Sequence, residues 1–238
     1  MALKPNLPAI SQKPPILVSF SGMDGSGKST NIASLIAALE AAGNRVKLVR
    51  FWDNVVVFPR FRSKVTAAVF RGETGIGSPE KPVERRDKNL RPWYATLGRS
   101  VLYLFDAVNL RWVARRALKS KPDVVIFDRY LFDQLTTLPL EYGAARAYAK
   151  FLYSLVPHPD LAYLLDADPE AAFKRKPEYP LNFLWQYRRS YNQVNDLLGS
   201  MTVIPPLPLE EARQRVAFEA AKAGIRLQTS PHPAPANA

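Results

Sequence analysis

The chain contains no cysteine, which excludes disulfides and thiolate-held metals together. Histidine is nearly absent as well, with only His158 and His232, both in proline-flanked sequence, so a metal used by this protein has to be held by oxygen ligands, as Mg²⁺ is. No long apolar run exists. The greasiest stretch, 97–113, is interrupted by Arg99, Asp106 and Arg111, and the opening segment up to Pro15 carries prolines without the apolar centre of a secretory signal. The expectation is a soluble cytoplasmic protein with no membrane partner. Acidic residues are in deficit: 33 Lys and Arg against 21 Asp and Glu give a net charge of +12. That surplus suits anionic ligands, nucleotides first. Neither a continuous Lys/Arg block nor an aromatic-plus-basic RNA-binding signature is present, so the charge reads as a well-solvated basic surface rather than a nucleic-acid interface.

The most informative stretch is Phe20-Ser21-Gly22-Met23-Asp24-Gly25-Ser26-Gly27-Lys28-Ser29-Thr30. It is a Gly-x-x-x-x-Gly-Lys-Ser loop, preceded by the apolar run Ile16-Leu17-Val18 and followed by Ile32, Leu35, Ile36 and Leu39 at helical spacing. Strand, glycine loop and helix in that order form a phosphate cradle. The glycines let successive N–H groups turn inward, the helix N-terminus faces the anion, Lys28 reaches the β and γ phosphates, and the Ser29 hydroxyl ligates Mg²⁺. Gly22, Asp24, Gly25, Ser26, Gly27, Lys28, Ser29 and Thr30 are therefore the candidate nucleotide-binding residues.

At 238 residues the chain fits one sizeable α/β domain. Strand-like runs occur at Ile16 to Phe20, Val46 to Arg50, Val124 to Phe127, Leu161 to Leu165 and Thr202 to Ile204. Between and after them the pattern predicts helices over Ser29 to Ala42, Trp93 to Lys119, Glu141 to Val156, Pro169 to Arg175, Leu181 to Leu198 and Leu209 to Ala223, with a further helix around Arg62 to Phe70 and a mobile loop from Gly72 to Asn89. This alternation predicts a five-stranded parallel sheet with helices on both faces. Residues 1–14 read as a flexible leader, 15–228 as the folded domain, and the proline- and alanine-rich 229–238 as a disordered tail.

In such a sheet, ligands collect at the carboxyl ends of the strands. That rule selects Arg50, Phe51, Trp52 and Asp53 after the second strand, Asp128, Arg129 and Tyr130 after the third, and Asp166 and Asp168 after the fourth. Val124 to Asp128 is an apolar strand ending in an acid, the pattern that supports Mg²⁺ or its water, and Arg129 beside it offers a planar fork for phosphate. The aromatics Phe51, Trp52, Phe58, Phe61, Phe70, Tyr103 and Phe105 include candidates for stacking on a base, although Tyr103 and Phe105 sit on a helix whose apolar face must be buried.

With these residues in view, the chain resembles the thymidylate kinase family of P-loop kinases. The likeness is carried by the glycine loop with its Asp24-Gly25 pair, by Asp128-Arg129-Tyr130, and by Pro159-Asp160-Leu161-Ala162-Tyr163-Leu164-Leu165-Asp166-Ala167-Asp168-Pro169-Glu170 leading to Lys174-Arg175. It implies the P-loop NTPase fold with a short lid at about 174–183, the cofactors ATP and Mg²⁺, a nucleotide acceptor (dTMP or a relative), and a homodimer. It also implies that Asp24 approaches the acceptor's 3′-hydroxyl, that Arg50, Arg129 and Tyr130 lie on the acceptor side, that Asp128 and Ser29 serve the metal, and that Lys28, Asp128, Arg129 and a lid cation such as Arg175 are catalytic. Departures fall mainly on acceptor recognition. Ser21 stands where many members have Glu, Arg50-Phe51-Trp52-Asp53 replaces an Arg-Glu-Pro-Gly, and Asp106, Asn109 and Arg111 occupy the helix where an acceptor-binding arginine is expected. Two other readings accompany the first: a kinase of this fold with another acceptor (nucleotide, nucleoside or sugar phosphate), and a non-catalytic nucleotide-binding regulator.

Overall fold

Strand β1 (Ile16–Ser21) lies at the middle of the sheet, between β3 (Val124–Asp128) and β4 (Leu161–Leu165). With β2 (Val46–Arg50) and β5 (Thr202–Ile204) at the edges, the order is β2-β3-β1-β4-β5, and every pairing is parallel. The computed structural model describes residues 14–57 and 93–227. The sequence expectation of a five-stranded parallel sheet holds, and β1 and β3 each run one residue longer than predicted. The extra residue of β3 is Asp128, which pairs in register with Phe20 on one side and Arg50 on the other. The helix expected around Arg62 to Phe70, the loop from Gly72 to Asn89, the tail at 229–238 and nearly all of the leader lie outside the described residues.

Alternation along the buried strands sends successive side chains to opposite faces, and each face has its own helical cover. On one face Leu17, Val49, Val125, Phe127, Ala162 and Leu164 pack against helix α3 (Trp93–Lys119), helix α5 (Gly143–Leu155) and helix α7 (Leu181–Leu198). On the other, Val18, Phe20, Ile126, Tyr163 and Leu165 meet Ile32, Leu35 and Leu39 of α1 (Lys28–Ala41) and Ala212, Val216 and Ala220 of α8 (Leu209–Lys222). Burying each such side chain stabilises the fold by roughly 1.5–3 kcal/mol, so a two-sided cover is what a continuous apolar strand requires.

Two short helices were not legible in the pattern: α2 (Phe51–Asn54), directly after β2, and α4 (Leu131–Leu135), directly after β3. Both are too short to show a helical period. The bounds predicted for α1, α5 and α8 differ from the observed ones by one or two residues at one or both ends. Helix α6 (Pro169–Arg175) starts where the sequence places it, since Asp168 caps it by accepting the Ala171 N–H at 2.9 Å, with Pro169 in the first turn. A smaller cluster of Met23, Ala167, Ala172 and Leu184 packs beneath the glycine loop, joining it to α6 and α7.

Candidate active site

The glycine loop owes its shape to close approaches that only glycine allows. A Cβ at Gly22 would stand 2.6 Å from the Leu165 carbonyl oxygen, and one at Gly25 would stand 2.8 Å from that of Ala172, while φ at Gly25 is +81°. The loop is therefore pressed against the end of β4 and against α6. Gly27 precedes α1, whose N-terminus carries no side-chain cap, so the first-turn N–H groups stay free for an anion. Ser29 and Thr30 face outward on that turn, whereas the Ser26 hydroxyl is buried without a hydrogen-bond partner. A buried orphan of this kind in a phosphate cradle fits a ligand oxygen.

Lys28 folds back over the loop. Its Nζ donates to the carbonyl oxygens of Gly22 at 2.8 Å and Met23 at 2.7 Å. Burial, followed by the Arg129 charge, draws its ammonium down to about 8. Arg129 stands on the same side. Its backbone takes φ +69°, its N–H donates to Phe20 O at 2.9 Å, and its Nη1 donates to Gly22 O at 3.3 Å. One carbonyl oxygen thus receives both cations. The Arg129 Nη2 pairs with Asp24 of the loop, and Nη1 pairs with Asp133 of α4 at 2.7 Å. Burial works against the guanidinium charge, but Asp133 and Asp24 keep it firmly protonated.

The remaining predicted residues are placed as follows. Asp128 ends β3 half-buried, and its carboxylate accepts no hydrogen bond among the described residues. The described residues contain no cluster of three or more His, Cys, Asp or Glu fit to hold a metal alone. Mg²⁺ keeps most of its waters and takes phosphate oxygens as ligands, so the donor set of Ser29 and Asp128 fits it. Arg50 is exposed at the end of β2, next to Asp128 in the sheet. Arg175, the last residue of α6, is exposed, donates to Ala171 O at 3.1 Å, and lines a cavity of about 210 Å³ together with Ser26, Leu165, Ile204 and Pro205.

Several expectations are corrected. Tyr130 does not face the cleft: it is fully buried, its ring packs on Phe127 and Phe132, and its hydroxyl donates to Pro157 O at 2.5 Å. The left-handed turn at Arg129 sends the two neighbouring side chains in different directions. Asp106 and Asn109 are absorbed in holding the segment after α2, accepting from Val57 N at 2.9 Å and donating to Val55 O at 2.7 Å respectively, and Arg111 donates to Leu155 O at 3.1 Å. Phe105 is 53% exposed rather than part of a buried face. Asp166 and Asp168, by contrast, line the cavity beside Ser26 and Arg175 as expected, with Asp166 held by both arms of Arg188 at 2.7 and 2.5 Å.

Two residues that the sequence reading left aside belong to the site. Asp133 is fully buried in its side chain and accepts from Ser21 Oγ at 2.7 Å, Tyr130 N at 3.1 Å, Arg129 Nη1 at 2.7 Å and Tyr191 OH at 2.6 Å. Tyr191, on α7, also lies 3.0 Å from Gly22 O. Burial and then Asp133 push its phenol well up, so it remains a donor. The signals were slight: an acid four residues after Arg129, and a Tyr187–Tyr191 pair one helical turn apart.

Fold and cleft define a P-loop kinase of the nucleoside monophosphate type. The probable thymidylate kinase of Archaeoglobus fulgidus is 27% identical over 209 residues, 84% of this chain and 92% of that protein. The thymidylate kinase of Verminephrobacter eiseniae is 28% identical over 175 residues, 68% of this chain and 66% of that protein. That of Solidesulfovibrio magneticus is 30% identical over 166 residues, 67% of this chain and 68% of that protein. No family model matches the chain. At 30% identity over two thirds of each chain, the similarity to the Solidesulfovibrio magneticus protein shows that the chain belongs to the thymidylate kinase family.

Proposed function

We propose that the protein transfers the terminal phosphoryl group of ATP to dTMP, giving ADP and dTDP. The observation that carries this reading is the convergence of Lys28 and Arg129 on the Gly22 carbonyl oxygen, which sets a donor-phosphate cation and an acceptor-phosphate fork in one cleft. Phosphoryl transfer asks chiefly for two anions held in line and for neutralised charge. A dTMP phosphate oxygen attacks the γ-phosphorus, the bond from that phosphorus to the β-phosphate oxygen breaks, and its electrons leave on ADP. The acceptor phosphate is already ionised, so no general base is needed.

Each residue has a task in this scheme. The loop N–H groups from Gly25 to Ser29 cradle the donor phosphates, and Lys28 leaves its carbonyl partners to meet them. Arg129 and Arg50 hold the acceptor phosphate, while Asp24 gives up part of its pairing with Arg129 to meet the acceptor's 3′-hydroxyl. Ser29 and Asp128 would hold Mg²⁺, which supplies charge neutralisation between the donor phosphates. The segment 174–183, which runs from the end of α6 across the connection into the start of α7, serves as the lid, and its Arg175 covers the transferring group. This role is supported by the exposure of Arg175 and by its place beside Ser26 on the cavity wall, where the apolar faces of Leu165, Ile204 and Pro205 suit the donor's base.

Pairing of two copies is supported by an exposed apolar stripe on α3, where Val101, Phe105, Val108 and Trp112 recur at one-turn spacing and are 45 to 58% exposed. The second reading, another acceptor in the same cleft, is favoured by one observation: Asp106, Asn109 and Arg111 are occupied by backbone partners, so the acceptor-binding cation expected on this helix is absent among them. An ATP-consumption screen across dTMP, other monophosphates and neutral nucleosides decides. Turnover with dTMP above the other acceptors is expected, and activity confined to non-nucleotides rejects the first reading.

A further inference from the structure

The Arg129 guanidinium is held unequally on its two sides. Nη1 enters the protein to meet Asp133, whose side chain is 0% exposed, whereas Nη2 meets Asp24, whose side chain is 27% exposed. A ligand arriving from solvent can compete with Asp24 but cannot reach Asp133. A buried carboxylate is costly unless its lone pairs are filled, and here four donors fill them. One is its own helix's Tyr130 N–H; the others come from β1 through Ser21, from Arg129, and from α7 through Tyr191. The bond from Tyr130 N–H completes a capping box, which a structural helix start explains, but the donors from β1, from the turn after β3 and from α7 go beyond what that start requires.

Ser21 gives this arrangement its logic. The position ends β1 directly before the loop, and its small hydroxyl leaves room for the carboxylate delivered from α4 while donating to it at 2.7 Å. The Tyr191 hydroxyl has a single proton and gives it to the nearer acceptor, Asp133, at 2.6 Å. With Ser21 and Tyr191 both donating, Asp133 cannot turn away from Arg129.

The geometry points to Asp133 as a positioning residue: seated by Ser21 and Tyr191, it pins one half of the Arg129 fork so that the other half is presented to the acceptor's phosphate. This rests on the reading of Arg129 as the acceptor-phosphate ligand. A guanidinium on a flexible stem matches phosphate only while its plane is fixed, and a misplacement of about 1 Å in such a group costs about 10²-fold in rate.

Steady-state kinetics of Asp133→Asn, with dTMP and ATP varied separately, test the inference. The expected result is a fall of about 10- to 100-fold in kcat/KM for dTMP, the size expected for a lost hydrogen bond to a charged group, with KM for ATP unchanged. In an Arg129→Ala background the same substitution should have no further effect, because the two residues act as one unit. Wild-type kinetics in Asp133→Asn, equal losses for donor and acceptor, or additivity with Arg129→Ala would overturn it. Should Asp133→Asn fail to fold, Ser21→Ala, which removes one donor and strands no charge, is read in the same way with a smaller expected loss. If the wild type phosphorylates no monophosphate, the kinase reading falls by itself, and calorimetric titration with inorganic phosphate decides the positioning role: weaker binding in Asp133→Asn supports it, while equal binding, or none in the wild type, ends it.

Discussion

Lys28 has only 7% of its surface exposed and spends its ammonium on two carbonyl oxygens of its own loop. Holding a charge there costs folding free energy, as its lowered proton affinity records. Substituting Lys28→Met keeps the stem and removes the buried charge, so thermal unfolding should occur at the same temperature as the wild type or higher. Turnover should nevertheless fall by about 10²- to 10³-fold, the scale of a lost charge-stabilising donor. A variant with intact kcat would remove Lys28 from the chemistry. Gly25→Ala should behave in the opposite way on stability: the added methyl meets the Ala172 carbonyl at 2.8 Å on a backbone with φ +81°. A loss of about 1–3 kcal/mol in urea unfolding is expected, together with weaker ATP binding.

Helix α6 joins the loop to the segment proposed as the lid, because its Ala172 backbone packs close to Gly25 and its last residue is Arg175. Removing its cap with Asp168→Ala should cost about 1 kcal/mol in chemical denaturation. If α6 positions Arg175, kcat should drop with it while the KM for dTMP stays near the wild-type value. At this scale the sequence was readable wherever a feature is local. The strand-loop-helix around Lys28, the acid ending β3 and the span of α6 are each contiguous, and each was found in the local pattern, although the cap at Asp168 was not. Features made by distant partners were not readable: Ser21 and Asp133 are 112 positions apart, and Asp133 and Tyr191 are 58 apart. Tyr130 misled because it neighbours a cleft residue in sequence, while the positive φ at Arg129 turns its ring into the core. Phe105 misled because α3 is apolar on more than one side, and period alone cannot say which side a neighbour covers.

Across the whole molecule, the stripe of Val101, Phe105, Val108 and Trp112 is exposed on α3, and none of its residues takes part in the hydrogen bonds that meet at Gly22. Lys28 belongs to α1 and Arg129 to the turn after β3, so a substitution on the outer side of α3 leaves both in place. Four large apolar side chains in a row on one helix suit a self-complementary interface, since a two-fold axis across the helix lays each stripe on its copy. Phe105→Glu places a charge in that seam and, across the axis, sets two like charges near each other. Light scattering should give a dimer mass for the wild type and a monomer mass for Phe105→Glu at the same concentration. The kcat per chain should stay within about twofold, because no site residue has been touched. A monomeric wild type would leave the stripe without its second copy, and a dimeric Phe105→Glu protein would move the interface to another face.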